Sequence, residues 1–259
     1  MNNNMHKFFY LLVLIHTGFT GSLFAQKQIT NKGQYWARYY GKYKLSPNWG
    51  VNLEIDDRRF FKDNRQANWV LPRVTINRKL GEGWDVGLGF TYYNSSNPAD
   101  PSKPIAVTVP ELRPHQELNY TQKIKKLSIS QRFRIEERWT HNATTSELTA
   151  GYSFKGRFRY QLQLNYLLID PMDDVGALSV KTSDEIMLNL GRSIVQNTFD
   201  QNRAYVGLNY GLNKNFQVEL GYMDYFQERS SGTQYYHYKI ARLTIYHTIN
   251  FYKKHSLKN

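Results

Sequence analysis

Cysteine is absent from the 259 residues. That excludes a disulfide framework, a thiolate metal site and a lipid-bearing cysteine behind an export signal. Long apolar runs are absent as well: after Lys27 nothing approaches the roughly 18 apolar residues of a transmembrane helix. No sustained helical period appears. The acidic cluster Asp170, Asp173 and Asp174 lacks the spacing of a calcium loop, no other metal-ligand spacing is present, and no cofactor is expected. The formal net charge of +13 comes without a basic tract. Lys79, Lys123, Lys125, Lys126 and Lys214 sit at turn-like positions, and most arginines lie inside alternating runs, so no nucleic-acid partner is expected.

The first residues carry their own message. Between Lys7 and Lys27 there is no charge, and the apolar part shrinks to Phe8–Ile15 because Gly18, Thr20, Gly21 and Ser22 follow it. That is too short to span a bilayer. With the small residue Ala25 ahead of Gln26, residues 1–25 read as a cleaved secretory signal peptide. Residues 26–259 then form one exported domain, expected in the bacterial outer membrane.

What is abundant is aromatic residues, 15% of the chain with 20 tyrosines, in a sequence whose mean hydropathy is only −0.63. A transmembrane β-barrel combines these properties, because its polar interior cancels its apolar exterior in any window average. The patterning agrees. In RFRYQLQLNY at 157–166, Phe158, Tyr160, Leu162, Leu164 and Tyr166 alternate with Arg157, Arg159, Gln161, Gln163 and Asn165. The same period of two runs through 48–59, 84–93, 109–121, 185–190, 203–210 and 216–222, and successive strand side chains point to opposite faces. Stretches 35–45 and 236–251 are aromatic-rich strands of similar character.

About eleven such segments can be counted, most longer than the roughly 5–6 residues of an ordinary strand and matching the roughly 9–11 residues of a membrane-spanning one. Short connections at 45–48, 80–83, 123–126 and 212–215 alternate with longer ones at 61–66, 95–108, 141–150, 192–201 and 228–234; the 168–178 turn is longer than its short peers. Counting back from a final strand that descends to the periplasm, the first segment would start outside, at odds with a periplasmic amino terminus. Residues 26–33 as a further strand give about twelve strands, and reassigning the first segment gives ten. The expected fold is thus all-β, an antiparallel up-and-down transmembrane barrel of about twelve strands.

If the apolar face meets lipid, the charged face lines the lumen. That interior would hold Glu54, Arg58, Glu111, Arg113, Glu117, Arg132, Arg134, Glu136, Arg138, Arg157, Arg159, Glu185, Arg203 and Glu219. Both signs recur on neighbouring strands, and arginine's planar fork matches carboxylates, so cross-strand ladders are expected. A barrel of this size would be mostly filled by such side chains. The first expectation is a structural ion-pair network; a narrow charge-lined channel or internal binding site is the second. Glu137, out of phase with its neighbours, belongs near the membrane boundary beside Trp139.

The Arg-x-Arg-x-Glu-x-Arg run at 132–138, Glu111-x-Arg113, FDQNR at 199–203 and Glu219-x-Gly-Tyr-Met223 resemble domain of unknown function family 2490. The resemblance covers roughly residues 33–251. It implies an outer-membrane β-barrel of Bacteroidetes-type bacteria and carries no catalytic residues. Partners implied by the location are outer-membrane lipids, lipopolysaccharide and the barrel-assembly machinery. The competing reading is a lipid- or lipopolysaccharide-modifying hydrolase or acyltransferase. Scattered His115, His141, His237 and His247 are its candidates, and His237 beside Ser230 and Ser231, with Asp224 or Glu228 as orienting acid, offers the best pairing.

Overall fold

The structure, a computed structural model, describes residues 28–171, 175–191, 198–229 and 232–252. The segment expected to be a signal peptide lies outside them. Eleven strands run in chain order: β1 Gln28–Lys44, β2 Trp49–Phe60, β3 Gln66–Gly81, β4 Trp84–Asn97, β5 Val107–Ile124, β6 Leu127–Ala143, β7 Leu148–Ile169, β8 Leu178–Leu190, β9 Phe199–Gly211, β10 Phe216–Glu228 and β11 Gln234–Asn250. Consecutive strands pair antiparallel, and the sheet closes on itself through β1 and β11, which leaves no sheet edge unpaired.

Strand number departs from both expected values. Residues 28–33 are not a separate strand; no turn interrupts the chain there, and they form the start of β1. With eleven strands the first and last must run the same way, and β1 and β11 do pair in parallel, from Gln28↔Gln234 to Lys44↔Asn250. The amide of Gln28 accordingly reaches the carbonyl of Thr233, at the end carrying the long connections. A second departure concerns 141–150. Most of that expected loop is strand, because β6 and β7 stay paired out to Ala143↔Leu148 and only 144–147 connect them.

Period-two patterning decides which way each side chain points. Along β7, Arg157 and Arg159 are buried inside, while Leu164 and Tyr166 are exposed on the outside. The outer wall is apolar over most of its area: Leu88 is 67% exposed and Leu220 64% exposed, and Ile76, Val206 and Leu208 are similarly open. Inside, most of the buried side chains are polar or charged. The exception is an aromatic patch where Trp36 meets Tyr225 edge-on and Tyr225 stacks on Tyr238, near Met223 and Ile240, facing inward from β1, β10 and β11. Pro72, which has no N–H to give to the ladder, falls in the register shift between Val70 and Arg73, where a strand tolerates it.

The tight β3–β4 turn depends on glycine. Glu82 and Gly83 both have positive φ, the geometry that matches the twist of a two-residue hairpin. A Cβ on Gly83 would come within 2.3 Å of the Thr121 carbonyl oxygen, whereas one on Gly81, also at positive φ, would meet nothing within 4 Å. Gly83→Ala should therefore lose stability by about 1–3 kcal/mol in urea unfolding of the detergent-refolded protein, and Gly81→Ala distinctly less. Equal losses would show that the neighbouring strand does not constrain the turn.

Candidate functional site

The inward positions of β2, β3 and β5–β11 carry a set of ion-pair groups, the most extended of them on β6–β9. Register brings the partners together: His115, Glu136 and Arg157 lie side by side on β5, β6 and β7, as do Glu117 and Arg134 on β5 and β6. Glu136, 1% exposed, is the hub. Its Oε1 accepts from Arg159 Nη1 at 2.5 Å and its Oε2 from Arg157 Nε at 2.9 Å, with Arg157 Nη2 on the same oxygen. Arg157 reaches on to Asp200 at 3.0 Å. Arg159 places Nη2 on Glu185 at 2.7 Å, which Arg132 also contacts at 2.6 Å. A continuous chain of alternating charge thus runs Asp200–Arg157–Glu136–Arg159–Glu185–Arg132.

Smaller groups flank it. Arg134 puts two nitrogens on Glu117 Oε2 at 2.9 and 2.6 Å. Glu111 is shared by Arg113 at 2.5 Å and Arg138 at 2.6 Å. Arg73 pairs with Glu54 at 2.8 Å, and Arg58 with Asp56 at 2.7 Å within one strand. Across the barrel Glu219, fully buried, accepts from Tyr205 at 2.8 Å, Arg242 at 3.1 Å, Tyr246 at 3.2 Å and the Lys181 ammonium. The Tyr205 ring reaches it by lying close against Gly207 and Gly221, where any Cβ would collide with the ring.

Of the fourteen charged residues assigned to the interior from sequence, all but Arg203 take part in these ion pairs. Arg203 donates to Gln201 at 2.8 Å and lies 4.6 Å from the centre of the Tyr225 ring. Sequence reasoning missed Asp56, Arg73, Lys181, Asp200 and Arg242 as members, together with Arg38 and Lys42, which also face inward from β1. Arg73 was hidden because the register shift before it breaks the alternation. Arg38 and Lys42 belong to the row Trp36, Arg38, Tyr40, Lys42, whose phase is masked by tyrosines at 35, 39 and 43 on the opposite face.

The network does not fill the lumen. A cavity of about 860 Å³ opens at the long-connection end, beside Ser96, Ala99 and Arg229. Another of about 480 Å³ lies at the short-turn end, beside Ser46, Asn48 and Lys79. Between them sits a third of about 240 Å³, sharing Arg58 and Arg203 with the first and Arg38, Lys42 and Arg132 with the second.

The histidines do not assemble into a hydrolytic centre among the described residues. His237 Nε2 contacts Asp224 at 2.8 Å and Nδ1 contacts Asn31 at 3.1 Å, so both ring nitrogens are engaged. Ser230 and Ser231 lie outside the described residues. His115 is buried in the lumen with Nε2 on the Thr75 hydroxyl at 3.0 Å, while His141 contacts its neighbour's carbonyl and His247 the Tyr39 hydroxyl. No three His, Asp or Glu side chains among the described residues are placed to hold a metal ion. Of the acidic turn cluster, Asp173 and Asp174 fall outside them.

Removing one partner from a buried, shared ion pair strands the others. Glu136→Ala should cost about 3–5 kcal/mol in urea unfolding of the refolded barrel. Glu137→Ala, one position along and facing outward with only a 3.5 Å contact from Gln116, should change it by less than about 0.5 kcal/mol. Similar losses at both positions would refute the hub.

A protein-family model described as a protein of unknown function, DUF2490, matches residues 33–236. Nothing among curated proteins matches the chain. Among solved structures it is similar to one described as the NanC porin in a rhombohedral crystal form, at 14% identity over 77% of this chain and 89% of that one, with a TM-score of 0.46.

Proposed function

We propose that this chain, which belongs to the DUF2490 family, is an integral outer-membrane barrel whose interior is a narrow, charge-lined passage. The observation that carries the reading is its inverted distribution of polarity: a closed wall with ionised groups buried inside and large aliphatic side chains exposed outside. In water so large an apolar surface would drive association; in lipid it is the stable arrangement.

Aromatic residues collect at both ends of the outer wall. Trp49, Trp84, Tyr166, Tyr210 and Phe216 stand near the short turns, and Phe61, Trp139, Phe154 and Phe226 near the long connections. Such girdles mark the two interfaces of a membrane barrel. Several outward charges are partnered: Arg59 with Asp57 at 2.9 Å, Asp224 with His237 at 2.8 Å, and Asp184, in the middle of β8, with Asn202 at 3.0 Å. Partnering lowers the cost of placing them against hydrocarbon. Outer-membrane lipid, with lipopolysaccharide on its outer leaflet, is the environment this wall fits.

The width of the passage follows from strand number. Eight strands leave room only for side chains, and sixteen or more leave a water channel. Eleven strands lined by long arginines give three cavities in series rather than a bore. Reconstituted in planar bilayers, the protein should produce discrete current steps far smaller than those of a sixteen-stranded porin in the same salt. An absence of steps would remove the passage. The barrel itself is checked by gel mobility, where the unboiled protein should migrate faster than the boiled one; identical migration would remove the barrel.

A further inference from the structure

We infer that the middle cavity of the lumen is an anion site, selective for small oxyanions such as carboxylates and phosphate over cations and neutral solutes. The inference rests on reading the interior as a solute-accessible space, and it adds which solutes that space admits.

The argument begins with a charge imbalance. Nine cationic side chains and three carboxylates line the cavity of about 240 Å³. The three carboxylates are already engaged: Glu54 with Arg73, Asp56 with Arg58, and Glu185 with Arg132 and Arg159. Glu219, set behind Lys181 and Arg242, is likewise committed to those two. Arg38, Lys42 and Arg203 are left with no carboxylate within ion-pair distance among the described residues. Arg38 has the Tyr246 hydroxyl at 3.2 Å and the rings of Tyr40 and Tyr246 at 5.6 and 5.9 Å. The Lys42 ammonium faces the rings of Tyr40 and Tyr246, each at 5.7 Å. Arg203 has the Gln201 amide and the Tyr225 ring.

A second observation points the same way. The Nε atoms of Arg38, Arg132, Arg203 and Arg242 are buried and have no hydrogen-bond acceptor among the described residues, and all four residues line this one cavity. A buried donor without an acceptor costs about 1–3 kcal/mol, more when it is charged. Because all four side chains border one polar space, a small turn of each guanidinium brings these donors to an acceptor-rich guest. Guanidinium groups bind the two oxygens of a carboxylate or phosphate in a matched, planar geometry. Water alone would fill a space of this size with about eight molecules at roughly 30 Å³ each, but water leaves the excess positive charge in place. An oxyanion with part of its hydration shell fits the same volume and offsets that charge. A cation would be repelled, and a neutral solute would gain nothing from the imbalance.

The residues that lack carboxylates also connect the three spaces. Arg203 lines both the middle cavity and the one at the long-connection end, and Arg38 and Lys42 line both the middle cavity and the one at the short-turn end. An anion can therefore exchange one unpaired cation for the next along the axis without breaking the Glu136 chain.

Trp36 provides the reporter, because it is buried, lines the middle cavity and lies 5.5 Å from the Arg203 guanidinium. The mature barrel would be refolded in detergent with the other four tryptophans replaced by phenylalanine, and its folding checked by the mobility difference between unboiled and boiled samples. Iodide should quench Trp36 roughly tenfold more strongly than caesium, the lower end of the local enrichment such a field produces. Acetate and inorganic phosphate at constant ionic strength should relieve the iodide quenching, and glucose should not; whichever oxyanion relieves it at lower concentration identifies the preferred chemistry. The double substitution Arg38→Gln and Arg203→Gln should bring iodide and caesium towards parity while leaving quenching by neutral acrylamide unchanged. If the four-fold tryptophan replacement does not fold, the same ratios are read as the difference between native protein and Trp36→Phe. Caesium matching iodide, no quenching by either ion, or an unchanged ratio in the double variant would each overturn the anion site. Current steps and quenching fail separately: a barrel that passes no current but is quenched selectively by iodide loses the passage and keeps the site, and a conducting barrel without anion preference does the reverse.

Discussion

Closing a sheet around ionised side chains imposes one constraint from which much else follows: where cations outnumber acids, a carboxylate must be shared between them. A buried charge without a partner is expensive, and lysine plus arginine outnumber aspartate plus glutamate by 34 to 21 in the whole chain. Glu136, Glu185, Glu111 and Glu219 each meet this by contacting two or more cationic groups. Sharing is possible because arginine presents nitrogens on two edges of a plane, so Arg157 and Arg159 can each bridge carboxylates on different strands. The network ties together walls that backbone ladders connect only to their neighbours. Where the acids run out, around Arg38, Lys42 and Arg203, the interior changes character and aromatic rings take the place of counter-ions.

The architecture was largely visible in the sequence because period two is written twice in this chain, as charge on one face and as hydrocarbon on the other. At 157–166 and 132–138 the two patterns reinforce each other, and the structure places those arginines and glutamates side by side. Legibility failed where one pattern was missing. In 35–45 both faces carry aromatics, so Arg38 and Lys42 gave no phase. At Arg73 a register shift moved the residue off the alternation that a regular strand would keep. Strand number failed for a different reason: the expectation of an even count assumed that the last ladder is antiparallel, and nothing local in the sequence encodes a parallel seam. The extent of the β6–β7 hairpin was missed because polar, turn-forming residues from His141 to Thr145 look like a loop even when the backbone stays paired.

Glu137 shows how a single exception to the pattern carries information. It faces outward opposite Gly156, between the exposed Ile135 and Trp139. A position that broke the alternation in sequence is thus an outward charge in the structure too, like Asp57 and Arg59 towards the end of β2.

The parallel seam has a kinetic meaning. Ten ladders join strands adjacent in sequence and can form as each hairpin emerges, while the eleventh joins Gln28 to Gln234 across 206 residues. Relative to a hairpin of about five residues, closing that distance adds about 3 kcal/mol of chain entropy, and no single backbone contact offsets it. The seam must therefore zip along much of its 17-residue length before it holds, which makes ring closure cooperative and late. Until it happens the molecule is a curled ribbon with two adhesive edges, and the speed of that last step decides whether those edges meet each other or another chain.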